Sequence, residues 1–441
     1  MNRRNFLRLG AGAGMALVAA PLLGSTTARA ATPYGGPFYV QIHASGGWDP
    51  IYFCDPKADA TLQRYTTAGI AIGTVDGFSF PDQPVDTLTE LGLDAAQLGV
   101  LPYLMSNRAF FEKYRSRVRV INGIDTRTNN HDIGMQAAGS GLGGTAYPSF
   151  GALAASTLGG DKALAYVSSG GYDATQGLVA TTRLSAGGYV KVAHPFESNA
   201  AAPGTAPYHL PTTIDRIRQA QRERVASLTQ SQHLPRVDAA LSAMSKARME
   251  DGTLANLELP TLIDIPGNQL GDAESLQQQI QLSLAAFKGG LAVASSLALG
   301  GFDTHAQHHA GQRRQIAKLL AGIDALWTQA EALGISDQIT LVVTADFGRG
   351  PTFNVDQGKD HWPVTSALLM GRGVPAGRIG YTDDGYKPVK LNRTTLEPDP
   401  AGVRITYGHL HQTLRELAGI TDGPNSGRYP ISGAALPLLR V

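Results

Sequence analysis

Apolar residues in this chain gather into short runs that end in glycines or polar loops. Phe38 to Ile42 ends at the glycines before Asp49, and Arg117 to Ile121 leads into NGIDTRTNNHD. Leu291 to Leu299 leads into GGFDTH, and Ile339 to Val343 leads into TADFGR. Runs of this length, rich in β-branched residues and bounded by turn residues, predict buried strands. Glu274 to Lys288 and Gln312 to Leu333 instead repeat their apolar positions with a helical period. Strands alternating with helices predict an α/β fold with a mainly parallel central sheet covered on both faces.

The stretch from about Thr181 to Leu270 differs. It holds a polar, amphipathic helical piece, Ile214 to Met249, flanked by proline-containing loops, and it lacks acidic–histidine clusters. It is read as an insertion over the sheet at 181–270, either a cap that shapes substrate access or a plain structural subdomain. Near the carboxyl end, TYGHLHQTLRELAGI predicts an amphipathic helix with His409 and His411 as surface or packing residues.

The amino terminus changes the picture of where the protein works. Arg3 and Arg4 precede Phe6 and Leu7, an apolar stretch runs from about Leu9 to Leu23, and Ala28-Arg29-Ala30 has the small residues a signal peptidase needs. Residues 1–30 are therefore read as a twin-arginine signal peptide, and 31–441 as a single α/β domain delivered to the periplasm or secreted. The partners expected during export are the twin-arginine translocase and signal peptidase. No later segment is apolar enough for a transmembrane anchor in the mature chain. Twin-arginine export carries folded proteins, often ones loaded with a metal or cofactor beforehand.

Composition then narrows the chemistry. Of 441 residues, 43% are hydrophobic and 17% charged, against roughly 25% charged in typical soluble proteins. The net charge of +1 and the lack of a long basic run exclude a nucleic-acid footprint. Cys54 is the single cysteine, so thiolate metal clusters and iron–sulfur sites are excluded and any metal must sit on oxygen and imidazole nitrogen.

Such ligands recur where strands end, which is where α/β sheets bind their ligands. Asp49, His131, Asp303 with His305, and Asp346 each follow a predicted strand, and GKDHWPV places His361 just before the apolar run Val364 to Met370. Singly, each has a structural explanation: Asp49 and Asp303 as turn or helix caps, Asp346 as a partner of Arg349, His361 as a packed loop histidine. Their recurrence at one edge points to a shared polar site. Aspartate and neutral imidazole on a rigid sheet suit a divalent metal ion, Zn, Mn, Mg or Ca, one or two in number. Asn129 or Asn130 is the expected cap of the helix that follows His131.

GGWDP, GGFDTH, TADFGR and GKDHWP, together with the leader, resemble an exported bacterial family known only as a domain of unknown function, DUF1501, related to the alkaline phosphatase and sulfatase superfamily. The resemblance spans about Phe38 to Ile420. It implies an alkaline-phosphatase-like three-layer sandwich with metal ligands at Asp49, Asp303, His305, Asp346 and His361. It also points to Thr126 and Thr128 as candidate nucleophiles, with His131 as ligand, general base or oxyanion partner. Arg127 and Arg349 are candidate clamps on an anionic ester substrate. Two departures matter. Gln307 stands where the superfamily often has a histidine, and Phe347 follows Asp346 where a histidine is usual, which leaves a single-cation site open. The expected function is metal-dependent hydrolysis of phosphate or sulfate esters; the alternative is a non-catalytic exported protein that binds metal or a partner.

Overall fold

The computed structural model describes residues 34–440 apart from 60–69, 84, 86–100, 145, 160–161, 163, 184–195, 198–205, 233, 235–236, 239–240, 242–259 and 266–269. The predicted signal peptide and most of the predicted insertion lie outside the described residues. From Pro33 to Val441 the chain is one compact unit.

In chain order the strands are β1 (Phe38–Ala44), β2 (Ala71–Val75), β3 (Phe78–Asp82), β4 (Val118–Asp125), β5 (Tyr166–Ser168), β6 (Thr181–Thr182) and β7 (Ala294–Leu299). They continue as β8 (Ile339–Ala345), β9 (Gly348–Arg349), β10 (His361–Trp362), β11 (Val364–Gly371), β12 (Gly377–Ile379) and β13 (Ile405–Thr406). Nine of them form one sheet in the order β12-β4-β11-β8-β1-β7-β5-β6, with β13 also paired to β4. Within it, β11 runs antiparallel to β4 and β8, while the other described pairings are parallel. The four predicted strands and the Val364 run are all members.

The helices are α1 (Asn107–Tyr114), α2 (His131–Ser140), α3 (Phe150–Leu158), α4 (Pro211–Gln232), α5 (Gly271–Lys288), α6 (His308–Ala332) and α7 (Tyr407–Leu417). They make two outer layers. Leu276, Ile280 and Phe287 of α5, with Ile316, Leu320 and Trp327 of α6, pack on Phe38, Val40 and Ile42 of β1. On the other face, Ala137 and Ala138 of α2, Phe150 and Leu153 of α3, and Leu410 and Leu414 of α7 pack on Tyr39 of β1 and Val342 of β8. Each such large apolar side chain contributes about 1.5–3 kcal/mol of transfer free energy. This is the expected α/β three-layer sandwich.

Strand periodicity explains what sits on each face. In β1, Phe38, Val40, Ile42 and Ala44 alternate with Tyr39, Gln41 and His43, yet all seven are buried. Gln41 and His43 are thus polar groups inside a closed core, where each needs a partner. Gln41 donates to Ala138 O at 2.9 Å, and His43 bonds the Asp346 carboxylate.

The β2–β3 hairpin is an element that hydrophobic runs did not reveal. Its turn is Asp76-Gly77, both at positive φ (45° and 83°), and Asp-Gly is a strong two-residue hairpin signal. Three of the five β2 residues are exposed, so the run carries little apolar periodicity. Of the predicted helix Ile214 to Met249, α4 covers the first part; most of the stretch beyond Gln232 lies outside the described residues.

Candidate metal centre

Parallel pairing brings the carboxyl ends of β1, β4, β7 and β8 to one edge of the sheet, and antiparallel β11 begins there. Asp303 lies four residues past Leu299 of β7, and Asp346 directly follows Ala345 of β8. His131 opens α2, whose N-cap Asn130 accepts from Ile133 N. The ribbon of β9 and β10 pairs Arg349 with His361 and so folds His361 back over the end of β8. Two glycines permit this crowding. Gly46 has φ 109°, and a Cβ there would stand 2.5 Å from Asp303 N; one on Gly134 of α2 would stand 2.5 Å from Asp346 O.

His131, Asp303 and His361 each offer a ligand atom within 4.8 Å of the others. His131 Nε2 is 3.6 Å from Asp303 Oδ2, and His361 Nε2 is 3.3 Å from Asp303 Oδ1. His305 joins them, its Nε2 3.1 Å from Asp303 Oδ1 and 2.9 Å from His361 Nε2. The outer nitrogen of each ring has its own acceptor. His131 Nδ1 lies 2.6 Å from Asp346 Oδ2, His305 Nδ1 3.2 Å from Asp360 Oδ1, and His361 Nδ1 2.8 Å from Asn129 O. With the proton on Nδ1 of each ring, the arrangement a bound cation would select, three Nε2 lone pairs converge on one carboxylate. Lone pairs 2.9 Å apart repel unless a proton or a cation lies between them.

Behind the rings, Asp346 is the organising group. It accepts from buried His43, from His131 and from Gly46 N at 3.0 Å. Burial alone would raise its pKa, but His43, His131 and the backbone donor together hold it below the usual carboxylate range. Asp303 is also held low: its partial burial is outweighed by the Arg349 guanidinium at 2.6 Å and by His305 and His131.

Three expected site residues lie elsewhere or face away. Asp49 is fully buried, with Oδ1 accepting from Ile51 N at 3.0 Å and Oδ2 contacted by Lys359 Nζ at 2.8 Å and His308 Nε2 at 2.9 Å. The lysine supplies the positive charge a metal would have supplied, so the expectation of Asp49 as a ligand is corrected to a buried ion pair. Asp346 belongs to the site but holds His131 in place rather than standing in the ligand cluster. Arg349, expected as a substrate clamp, is likewise buried; its donors go to Gly46 O, Gly47 O, Lys359 O and Asp303. It pins three loops together and presents no free face to an anion.

Neither threonine hydroxyl is presented as a nucleophile. Thr126 is buried and donates to Thr128 O at 3.0 Å, while Thr128 Oγ1 accepts from Asn130 N at 3.1 Å, as loop-stabilising hydroxyls do. Arg127 is exposed and points into a neighbouring groove.

His308, His309, His409 and His411 also find their places. His308 pairs with Asp49 and lies 2.7 Å from Thr304 Oγ1; His309 lies 3.2 Å from the Tyr52 hydroxyl. His409 caps α7 through Thr406, and buried His411 donates to Ala138 O. The sequence reading missed His43, whose signal was a histidine inside an otherwise largely apolar strand. Lys359 and Asp360, beside His361, were read as supports behind that ring; Asp360 instead meets His305 Nδ1, and Lys359 pairs with Asp49. Among the described residues, no helix is long and apolar enough to cross a membrane.

Residues 39–422 match the profile of a family described as "Protein of unknown function (DUF1501)". No curated protein matches the sequence. Among solved structures, Ps i-CgsB is similar at 9% identity and a TM-score of 0.40, over 90% of this chain and 75% of that one. Alkaline phosphatase from the Antarctic bacterium TAB5 is similar at 10% identity and a TM-score of 0.35, over 88% of this chain and 99% of that one. BT1596, a 2-O GAG sulfatase, is similar at 12% identity and a TM-score of 0.33, over 92% of this chain and 74% of that one.

Proposed function

The chain belongs to the DUF1501 family, and from that premise we propose that it is an exported, metal-dependent hydrolase of phosphate or sulfate esters. The observation that carries the reading is the convergence of three imidazole Nε2 atoms, each ring held through its Nδ1, on the Asp303 carboxylate. His131, His305, His361 and Asp303 would hold one cation, and an imidazole-rich set favours zinc over magnesium or calcium. When bound, the cation supplies Lewis acidity toward an ester oxygen. Asp346 keeps His131 in its binding tautomer, Asp360 and Asn129 O do the same for His305 and His361, and Arg349 sets the Asp303 carboxylate. With both threonine hydroxyls committed to the loop, the attacking group in this reading is water.

That commitment also supports the second reading, a non-catalytic exported protein that keeps the metal site for binding alone. The two separate in one experiment. Mature protein, loaded with zinc or manganese, is assayed on an aryl phosphate and an aryl sulfate beside an Asp303→Ala control, with metal content measured by elemental analysis. Turnover lost in the control supports the hydrolase; one bound zinc without turnover supports the metal-binding protein; no metal uptake by folded protein sinks both of these and leaves a protein that binds a partner without metal.

A further inference from the structure

On the other side of the loop that supplies Asn129 to His361 lies a groove with an unusual charge balance. Its volume is about 780 Å³, and its lining includes four cationic side chains, Arg127, Lys390, Arg393 and Arg404, against one acid, Asp125. The formal sum is four positive minus one negative, or +3, on a chain whose net charge is +1. We infer that this groove is a binding site for a compact polyanion, one molecule carrying several phosphoryl or sulfuryl groups.

Lys390, Arg393 and Arg404 stand along one stretch of chain and Arg127 comes from the loop after β4, so the fold brings two segments together here. Asp125 ends β4, and its carboxylate is already committed: Oδ1 accepts from Arg127 N at 3.0 Å and Oδ2 meets Arg404 at 3.3 Å. That leaves the Arg127 and Arg393 guanidinium groups without a hydrogen-bonding or carboxylate partner among the described residues. Arg127 also has φ 59°, a left-handed conformation that costs a non-glycine residue roughly 1–2 kcal/mol. The Asp125 contact holds the backbone there and turns this side chain toward the groove instead of solvent at large. Burial of His409 on the groove wall, with a smaller contribution from the nearby charges of Arg393 and Arg127, lowers its pKa.

Size and charge together select the ligand. A volume within the 300–1,000 Å³ of small-molecule sites is too large for one tetrahedral anion but suits a chain of them. Guanidinium groups favour phosphoryl and sulfuryl oxygens because their paired donors match two oxygens at once. The assignment goes beyond the hydrolase reading and does not depend on it, since none of the groove cations belongs to the metal cluster.

The test uses the full mature chain stripped of metal with EDTA, titrated calorimetrically with sodium tripolyphosphate and separately with inorganic phosphate and sulfate. Stripping prevents metal chelation from mimicking binding and keeps the result independent of the metal centre. Tripolyphosphate is expected to bind 1:1, at least tenfold tighter than either single anion, and more weakly as salt rises. In the Arg127→Gln/Arg393→Gln double variant its affinity should fall at least tenfold, while His361→Ala should bind it like the wild type. Both arginines are exposed and unpartnered, so the double variant should fold; hydrogen exchange on the wild-type protein gives a second readout, with protection expected across 390–409 on adding tripolyphosphate. Absence of saturable binding, equal affinity for phosphate and tripolyphosphate, indifference to the double substitution, or loss of binding in His361→Ala would each overturn the assignment.

Discussion

Two clusters of carboxylate and imidazole lie side by side at the same sheet edge, and they have opposite characters. In the first, Asp49 and His308 are 0% exposed and Lys359 Nζ closes the set, so charge is balanced inside the protein. In the second, Asp303 and His305 have side chains 46% and 48% exposed; the buried Arg349 guanidinium meets Asp303 from one side at 2.6 Å, and the open side is left to the imidazoles. Residue types are nearly the same in both. Each carboxylate has a cation of the fold beside it; what separates the buried ion pair from the open candidate site is whether the carboxylate is sealed together with that cation. A sealed carboxylate must be neutralised by protein because water cannot do it, whereas an open one can await a cation from solution.

The sharpest way to break this contrast is to remove the internal cation. Lys359→Ala leaves Asp49 charged and buried without its partner, which should cost about 3–5 kcal/mol, read from urea unfolding at pH 7.5. A loss below 1 kcal/mol would mean the first cluster is not sealed.

Acid should act on the sealed cluster next. Burial, reinforced by Lys359 and Arg349 and only partly offset by Asp49, pushes the His308 pKa down to about 4, and burial takes His411 down to about 3. Both histidines titrate near 6.5 once unfolded, so between pH 6.5 and 4 the unfolded chain binds more protons. Stability therefore falls as pH drops through that window and is flat above it, by something on the order of 3 kcal/mol for His308. Urea midpoints between pH 7.5 and 4 should show the fall, and His308→Gln should make it shallower.

In the open cluster, substitutions should register in metal affinity instead. Asp346→Asn removes the carboxylate that fixes the His131 tautomer and should weaken zinc binding 10–100-fold, or about 1.4–2.7 kcal/mol by competition with a chelating dye. The smallest effect on folding belongs to His305→Ala. At an exposed position it should shift stability by no more than about 0.5 kcal/mol while zinc affinity still drops. If His305→Ala destabilised the fold as much as Lys359→Ala, the distinction between the clusters would fail.

The same contrast marks where the sequence was legible. Buried strands and their helices show as apolar runs because an element covered on a core face must carry its periodicity in its composition. Asp303, Asp346, His131 and His305 were legible because each follows a strand of a mainly parallel sheet, whose ends share an edge, and His361 because it stands just before the apolar run of β11. Asp49 satisfied the same rule and still belongs to the other cluster, since strand position fixes which edge a residue reaches but not where its carboxylate turns. Arg349 looked like a substrate clamp because a guanidinium pairs with two anionic oxygens at once, and only its burial among loop carbonyls gave it a packing role.

By itself, the sequence determined the α/β alternation, the edge where acids and imidazoles gather and the absence of a thiolate site, because these follow from periodicity, chain order and composition. Tertiary structure alone decided that Lys359 neutralises Asp49, that His43 stands behind Asp346, and that Arg127 shares one groove with the cations of residues 390–404. Those outcomes depend on through-space distance and burial, which set electrostatic energy and which no local stretch of sequence encodes.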